Sequence, residues 1–259
     1  MTVSEADQDA IDRRSLHERI AADLRDEIMS GELGPGATLP STAQLEEWFS
    51  ASNTTVQKAL QLLKDEGLAV GRAGAAVTVR EHRQRTMRPA AYMAPTAPGE
   101  PYRWISEAAT GHQARGSSRL LEVAEVRPPA DVAEALRLPE VGMALLRAQM
   151  LSLDDEPVEL VKLLPAGAGS RDGDDGAPPD QGRYSGVAGG AGVPPRLSVD
   201  KVSARLPTQE QYTVLGLPAN LPVLRTLRVV YSDGERPIEA TVMAKAGHLY
   251  ELRYEFSPS

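Results

Sequence analysis

Cysteine is absent from the 259 residues. That removes a disulfide framework, a thiolate nucleophile and any zinc cage built on cysteines. Histidine is scarce, and His17, His82, His112 and His248 lie far apart, none in the HExxH spacing of a zinc-binding helix. No cofactor or metal is expected on these grounds. No run of about 18 apolar residues occurs, which excludes a transmembrane helix. The opening MTVSEADQDAIDRR is acidic and polar, so neither a signal peptide nor a basic transit peptide fits, and a cytoplasmic protein is expected. Positive charge is also in deficit, with 28 Lys and Arg against 36 Asp and Glu for a net charge of −8. That balance excludes a protein coated in basic surface but not a small DNA-binding domain joined to an acidic one.

What is present falls into sections. Residues 1–12 are acid-rich with little apolar content and read as a mobile tail. From Ser15 the pattern is helical, with Leu16, Ile20, Leu24 and Ile28 four apart on one face until Gly31 and Gly34-Pro35-Gly36 turn the chain. Ser41 with Gln44 makes a capping box for a second helix, whose apolar face is expected from Leu45, Trp48 and Phe49. Ser52 is an N-cap ahead of Thr55, and Val56, Leu60 and Leu63 continue a third helix to Gly67. Leu68–Val70 and Val77–Val79 flank Gly71-Arg72-Ala73-Gly74 as a hairpin. Three helices and a hairpin, with a very short turn between the second and third helix, describe a winged helix-turn-helix over residues 13–80.

The matching elements are Pro35-x-Gly, Leu39-Pro40-Ser41, Ser52-x-Thr54-Thr55-Val56, Ala59-Leu60 and Glu66-Gly67-Leu68. Through them residues 33–79 resemble the DNA-binding domain of the GntR family of bacterial transcription regulators. Where that family has arginines, this chain has Ala43, Asn53 and Gln57, and the wing reads Gly74-Ala75-Ala76 rather than glycine-basic-glycine. The family's operator preferences therefore do not transfer.

Residues 81–101 continue from Arg80 with Arg83, Arg85 and Arg88 and then a proline/alanine stretch, and read as a basic linker that stiffens toward its end. Residues 102–259 are strand-rich and carry an internal repeat. Leu138-Pro139, Leu145-Leu146-Arg147, Asp155 and Pro157-Val158-Glu159 recur at an offset of 78 to 80 as Leu217-Pro218, Val223-Leu224-Arg225, Asp233 and Pro237-Ile238-Glu239. Each copy runs from a helix end into a strand, a polar turn and a returning strand. The second returning strand alternates Ile238, Ala240, Val242 and Ala244 against Glu239 and Thr241, and a last strand puts Tyr250, Leu252, Tyr254 and Phe256 on one face. A duplicated helix-hairpin unit is an antiparallel plan, so the chain as a whole is α+β.

With Tyr102-Arg103-Trp104, Val202-x-Ala204-Arg205-x-Pro207-Thr208 and Arg253-Tyr254-Glu255, the repeat resembles the UTRA ligand-binding domain, which has the fold of chorismate lyase. A GntR-type winged helix followed by UTRA is the order of the HutC subfamily. Residues 165–195 depart from it, with too much glycine and proline for a regular helix, and read as a long mobile loop.

DNA contact is expected from Ser41, Ser52, Asn53, Thr54, Thr55, Gln57 and Lys58, with Arg72 and Gly74 in the wing. Short amide and hydroxyl side chains at the start of a recognition helix reach base edges or phosphates. The plainer role for Ser52 is a cap alone. Residues 13–88 hold 11 Lys and Arg against 10 Asp and Glu, so charge must be segregated onto the DNA side. An effector is expected at Arg147, Glu159, Arg225 and Glu239, two pairs of repeat mates. Guanidinium would hold a carboxylate or phosphate, and carboxylate would accept from hydroxyls. Cross-strand surface pairing is the plainer role for these four. Arg147-Ala148-Gln149 lacks the second arginine expected for a phosphorylated ligand.

The reading is a homodimeric transcription regulator, a repressor, on a pseudo-palindromic double-stranded operator, modulated by a small-molecule effector. One alternative is a repressor of mobile-element transfer genes with a vestigial pocket. Another is a small-molecule-binding protein or enzyme, against which stand Ser185 outside any GxSxG frame and the lack of a spaced carboxylate pair.

Overall fold

The computed structural model describes residues 12–71, 76–80, 85–89, 116–166, 195–217 and 221–256. The expected tail before residue 12, Arg72 and Gly74 of the wing, residues 102–104, and Ser185 with nearly all of the 165–195 segment lie outside the described residues. The described residues fall into two units, one up to residue 80 and the other from residue 85 onward.

In the first unit, α1 spans Leu16–Ser30, α2 Thr42–Trp48 and α3 Asn53–Asp65. The Ser15 backbone N–H donates to Glu18 Oε2 (2.7 Å), and Gly31 ends α1 at φ 88°, a left-handed conformation that glycine adopts without strain. Ile20, Leu24, Leu45, Val56, Leu60 and Leu63 form the core, joined by Leu39, Leu68 and Val79. The wing strands β1 (Ala69–Val70) and β2 (Thr78–Val79) pair antiparallel, Ala69 opposite Val79. Arg25 on α1 clamps Glu66 just past α3 with two bonds, Nε to Oε2 at 2.8 Å and Nη2 to Oε1 at 2.5 Å.

One expected core residue is not buried. Trp48 is 59% exposed, while Leu45 is fully buried and Phe49 packs beside it. The inward stripe of this short helix is centred between Leu45 and Phe49. At about 100° per residue, Trp48 falls roughly 100° from Phe49 and outside that stripe.

The second unit is built on a six-stranded antiparallel sheet in the order β4-β5-β6-β9-β8-β7. The strands are β4 Gly116–Val126, β5 Ala144–Leu153, β6 Glu156–Pro165, β7 Leu197–Arg205, β8 Val223–Ser232 and β9 Arg236–Ala246. Helix α4 (Ala130–Ala135) precedes β5 and α5 (Gln209–Val214) precedes β8. Each half is therefore strand, helix, hairpin, and the halves meet at β6 and β9. There Lys162 stands opposite Val242, its own mate at an offset of 80, so a local two-fold passes through that pair.

Both faces of the central strands are covered. On one, Val132 and Leu136 pack with Leu146, Leu164, Leu227 and Ala240, and Leu215 and Leu217 with Leu160 and Val223. On the other, Met87, Leu151, Val158, Val161 and Tyr250 form a second cluster. The alternation expected in β9 is present, but Glu239 and Thr241 are buried rather than solvated, because β9 is central and shielded on both sides.

Three expectations are corrected in this unit. Part of the expected 81–101 linker is a strand, β3 (Arg85–Met87), paired parallel with β10 (Tyr250–Leu252) and buried through Met87. Arg253 N–H continues the ladder onto Met87 O at 2.8 Å. The last strand stops at Leu252. Tyr250 is buried, whereas Phe256 is 89% exposed and stacks on Tyr254.

The third correction concerns register. The turn between β5 and β6 has two residues, Asp154 and Asp155, both left-handed (φ 49° and 65°), while three residues, Asp233–Glu235, join β8 to β9. The second turn is one residue longer, so mates on the first strand of each hairpin are 79 apart. Leu163 pairs with Arg147, and Met243, its mate, pairs with Thr226. Arg147 and Arg225 are thus not structural mates, and a one-residue difference puts them on opposite faces.

Lys245 donates from Nζ to Glu159 Oε1 at 2.5 Å across β9 and β6, with the two side chains 5% and 1% exposed. Glu159 Oε2 has no hydrogen-bond partner among the described residues. Removing one partner strands a buried charge, whereas replacing both need not destabilise. Lys245→Met is expected to lower stability by about 3–5 kcal/mol in chemical denaturation of the full chain, and Glu159→Met plus Lys245→Met to recover most of that loss.

Candidate nucleic-acid interface and effector face

The N-terminus of α3 collects the expected DNA-contacting residues. Ser52 caps it, accepting at Oγ from Thr55 N–H (3.3 Å) and sharing a 2.9 Å hydroxyl bond with Thr55 Oγ1. The cap and the contact role are compatible, since Ser52 remains exposed. Asn53, Thr54, Gln57 and Lys58 are exposed, and Thr55 is half-buried. Val56, Ala59, Leu60 and Leu63 bury the opposite side, so core packing decides which flank of α3 is left for a partner. Ser41 is exposed but spent on its helix: its N–H donates to Gln44 Oε1 (2.9 Å) and its Oγ accepts from Gln44 N–H (3.3 Å).

Two of these residues are also tied to α2. Asn53 Nδ2 donates to Glu46 Oε1 at 2.7 Å, and Gln57 Nε2 to Thr42 Oγ1 at 3.2 Å. Glu46 and Thr42 were not singled out from the sequence, although their four-residue spacing, matching that of 53 and 57, is legible in it. Of the cations in the first unit, Arg14 pairs with Asp12 at 2.7 Å, and Lys58 on α3 makes no ion pair among the described residues.

The four expected effector residues are not brought together. Arg225 faces the helices, where its Nη2 meets Asp131 Oδ2 on α4 at 2.6 Å. Glu159 is consumed by Lys245. Arg147 and Glu239 share the other face of the sheet. There Arg147, Leu163, Thr241, Arg228 and Asp200 stand in one row across β5, β6, β9, β8 and β7. Gln149, its amide oxygen turned to the guanidinium, accepts from Arg147 Nε (2.7 Å) and Nη2 (3.0 Å). Thr241 Oγ1 donates to Glu239 Oε1 at 2.9 Å. Arg228 makes a fork to Asp200, Nε to Oδ1 and Nη2 to Oδ2 both at 2.7 Å, and Nη2 also donates to Pro89 O at 3.3 Å.

Burial pushes the Glu239 carboxyl above the ordinary range, and the Thr241 hydrogen bond and the Arg228 charge oppose this without cancelling it. Arg228, Asp200, Gln149 and Thr241 were missed from the sequence. The signal that finds them is the 79-residue offset, which makes Gln149 the mate of Arg228, and it depends on counting the turns.

A winged helix-turn-helix followed by a duplicated antiparallel sheet is the plan of a DNA-binding transcription regulator with an appended second domain. Residues 16–79 match the bacterial regulatory proteins of the gntR family, and residues 112–251 match the UTRA domain. The chain belongs to the GntR family and has the winged-helix-plus-UTRA architecture of its HutC subfamily; it is a regulator, not an enzyme.

An uncharacterised HTH-type transcriptional regulator of Streptomyces coelicolor, SCO4628, is 27% identical over 250 residues, 94% of this chain and 91% of that protein. The HTH-type transcriptional regulator GgaR of Escherichia coli K12 is 22% identical over 246 residues, 93% and 91% of the two chains. Among solved structures, a GntR-family transcriptional regulator superposes with a TM-score of 0.58 at 24% identity, covering 95% of this chain and 99% of that one. PhnF from Mycobacterium smegmatis gives 0.55 at 18% identity, covering 93% and 100%. At these identities the two structures show the shared fold alone. No helix among the described residues is long and apolar enough to cross a membrane.

The raised Glu239 carboxyl has a signed consequence. The folded chain holds that proton more tightly than the unfolded chain, so the group stabilises the fold at low pH and loses that contribution as pH rises through its folded value. Glu239→Gln mimics the neutral form. Thermal unfolding should therefore show it gaining stability over the native chain near about pH 8, with the gain vanishing near about pH 4.

Proposed function

We propose that the chain is a cytoplasmic, homodimeric repressor whose α3 enters the major groove of each half of a pseudo-palindromic operator. The observation that carries this reading is the capped start of α3, where Asn53, Thr54, Gln57 and Lys58 stand exposed while the opposite side is locked into the core. Two such heads on a two-fold axis require half-sites about one helical turn apart or a multiple of it. Ser52 and Thr55 act at the helix start, Ser41 at the start of α2, and Arg72 and Gly74 in the wing, with Arg72 directed to the minor groove.

The second unit would carry dimerisation and the effector, an acid whose carboxylate is held by Arg147 and whose hydroxyls donate to Glu239. An effector need supply only about 1–3 kcal/mol of coupling to change operator occupancy 5- to 150-fold. A reading without an effector has its own support. Arg147, Arg225 and Arg228 are each engaged internally, by Gln149, Asp131 and Asp200, so a ligand must compete for them. Calorimetric titration with a panel of small acids separates the two, since a bound ligand stabilises the folded chain.

Footprinting on DNA upstream of its own gene tests the main reading. A two-fold protected site is expected, with affinity falling on a log–log salt plot by about 0.9 for each phosphate neutralised. Thr54→Ala plus Thr55→Ala should weaken binding by tenfold or more, each lost contact being worth on the order of 1 kcal/mol. No protection at low salt, followed by no enrichment from random DNA, overturns the regulator mechanism. A chain that sediments as a monomer at micromolar concentration overturns the dimeric operator.

A further inference from the structure

Asn53 and Gln57 lie one turn apart on α3, and Glu46 and Thr42 one turn apart on α2. Their two hydrogen bonds form polar rungs along one edge of the helix pair. The Asn53 rung is the chemically constrained one. A carboxylate only accepts, so the amide nitrogen of Asn53 must be the end that faces Glu46. At 2.7 Å the bond is a charge-assisted one. Thr42, by contrast, could donate or accept, so the Gln57 rung does not force the Gln57 amide either way.

With one N–H given to Glu46, Asn53 is left with its Oδ1 and its second N–H. Those two groups make the donor–acceptor edge that matches adenine, whose N6 donates and whose N7 accepts. Guanine presents acceptors at both O6 and N7, so Asn53 Oδ1 would oppose O6. A glutamate on a surface that approaches phosphates works against binding unless it serves another purpose. Its hydrogen bond to an exposed amide at the start of the helix supplies one.

We infer that Glu46 is a positioning residue for base readout: by holding Asn53 through its amide nitrogen, it sets the start of α3 to read an adenine and reject a guanine in each half-site. This rests on the reading that α3 is the recognition helix. The charge of Glu46 stays partnered in the complex, and the preference appears at one base pair rather than across the site.

Selection from random DNA with the full chain tests this, comparing the native protein with Asn53→Ala, Glu46→Ala and Glu46→Gln. The native pool should hold adenine at one position of each half-site, favoured over guanine by about 5- to 150-fold, the range of one good bidentate contact. Asn53→Ala should flatten that position alone. Glu46→Ala should reduce its preference by about threefold or more while leaving the flanking bases unchanged. Glu46→Gln, whose Oε1 still accepts, should restore it. Unfolding temperatures at the native value show that altered preference is not a folding defect.

An enriched native site whose base preferences ignore Asn53, or an adenine preference undiminished in Glu46→Ala, overturns the inference and leaves the recognition-helix reading standing. A native chain that enriches nothing overturns that reading and this inference together.

Discussion

The pairing of β6 with β9, with Lys162 opposite Val242, constrains what every other strand of the second unit can bury. It joins the two repeats edge to edge, so the returning strand of each hairpin becomes central and is shielded on both faces. Glu159, Glu239, Thr241 and Lys245 on those strands are buried, whereas Lys162 stays partly exposed and pairs with Glu210. Glu159 and Lys245 neutralise one another, and Glu239 leans on Thr241 with its proton held more tightly than usual. The apolar residues of β6 and β9 divide between the helix-covered face and the cluster around Met87 and Tyr250.

That second cluster ties the strand after the winged helix into the sheet domain. Met87 is buried among Leu151, Val158 and Val161, β3 pairs with β10, and Pro89 O accepts from Arg228. The segment connecting the two units in sequence is therefore part of the second unit's fold from residue 85, beside the row that holds Arg147, Thr241, Arg228 and Asp200. A ligand that drew Arg228 from Asp200 would act directly on a residue bonded to that segment. That contact links the row of Arg147, Thr241, Arg228 and Asp200 to the chain segment that follows the winged helix in sequence.

In the winged helix the governing constraint is the side of α3 buried against α1 and α2. Ile20, Leu24, Leu45, Val56, Leu60 and Leu63 fix the helix's rotation, and that rotation alone exposes Asn53, Thr54, Gln57 and Lys58 together. The same packing brings α2 alongside, close enough for Glu46 and Thr42 to hold two of those side chains. Chemistry at the helix start thus includes residues from the preceding helix.

Local rules were legible in the amino-acid order by itself. Capping residues Ser41 and Ser52, the four-residue spacing of Leu16 to Ile28, the turn glycine Gly31 and the duplicated hairpins all act over a few residues, so their consequences follow without knowing the fold. They determined the winged helix-turn-helix, the antiparallel plan and the candidate recognition residues. Tertiary structure decided what depends on register and on partners distant in sequence. A turn longer by one residue sent Arg225 to the helix face and put Arg228 in the row with Arg147. Long-range pairing turned part of an expected linker into β3 and buried Glu159 against Lys245. A period-two strand reverses its faces with a single-residue shift, and burial depends on neighbours tens of residues away, so no local pattern could settle either.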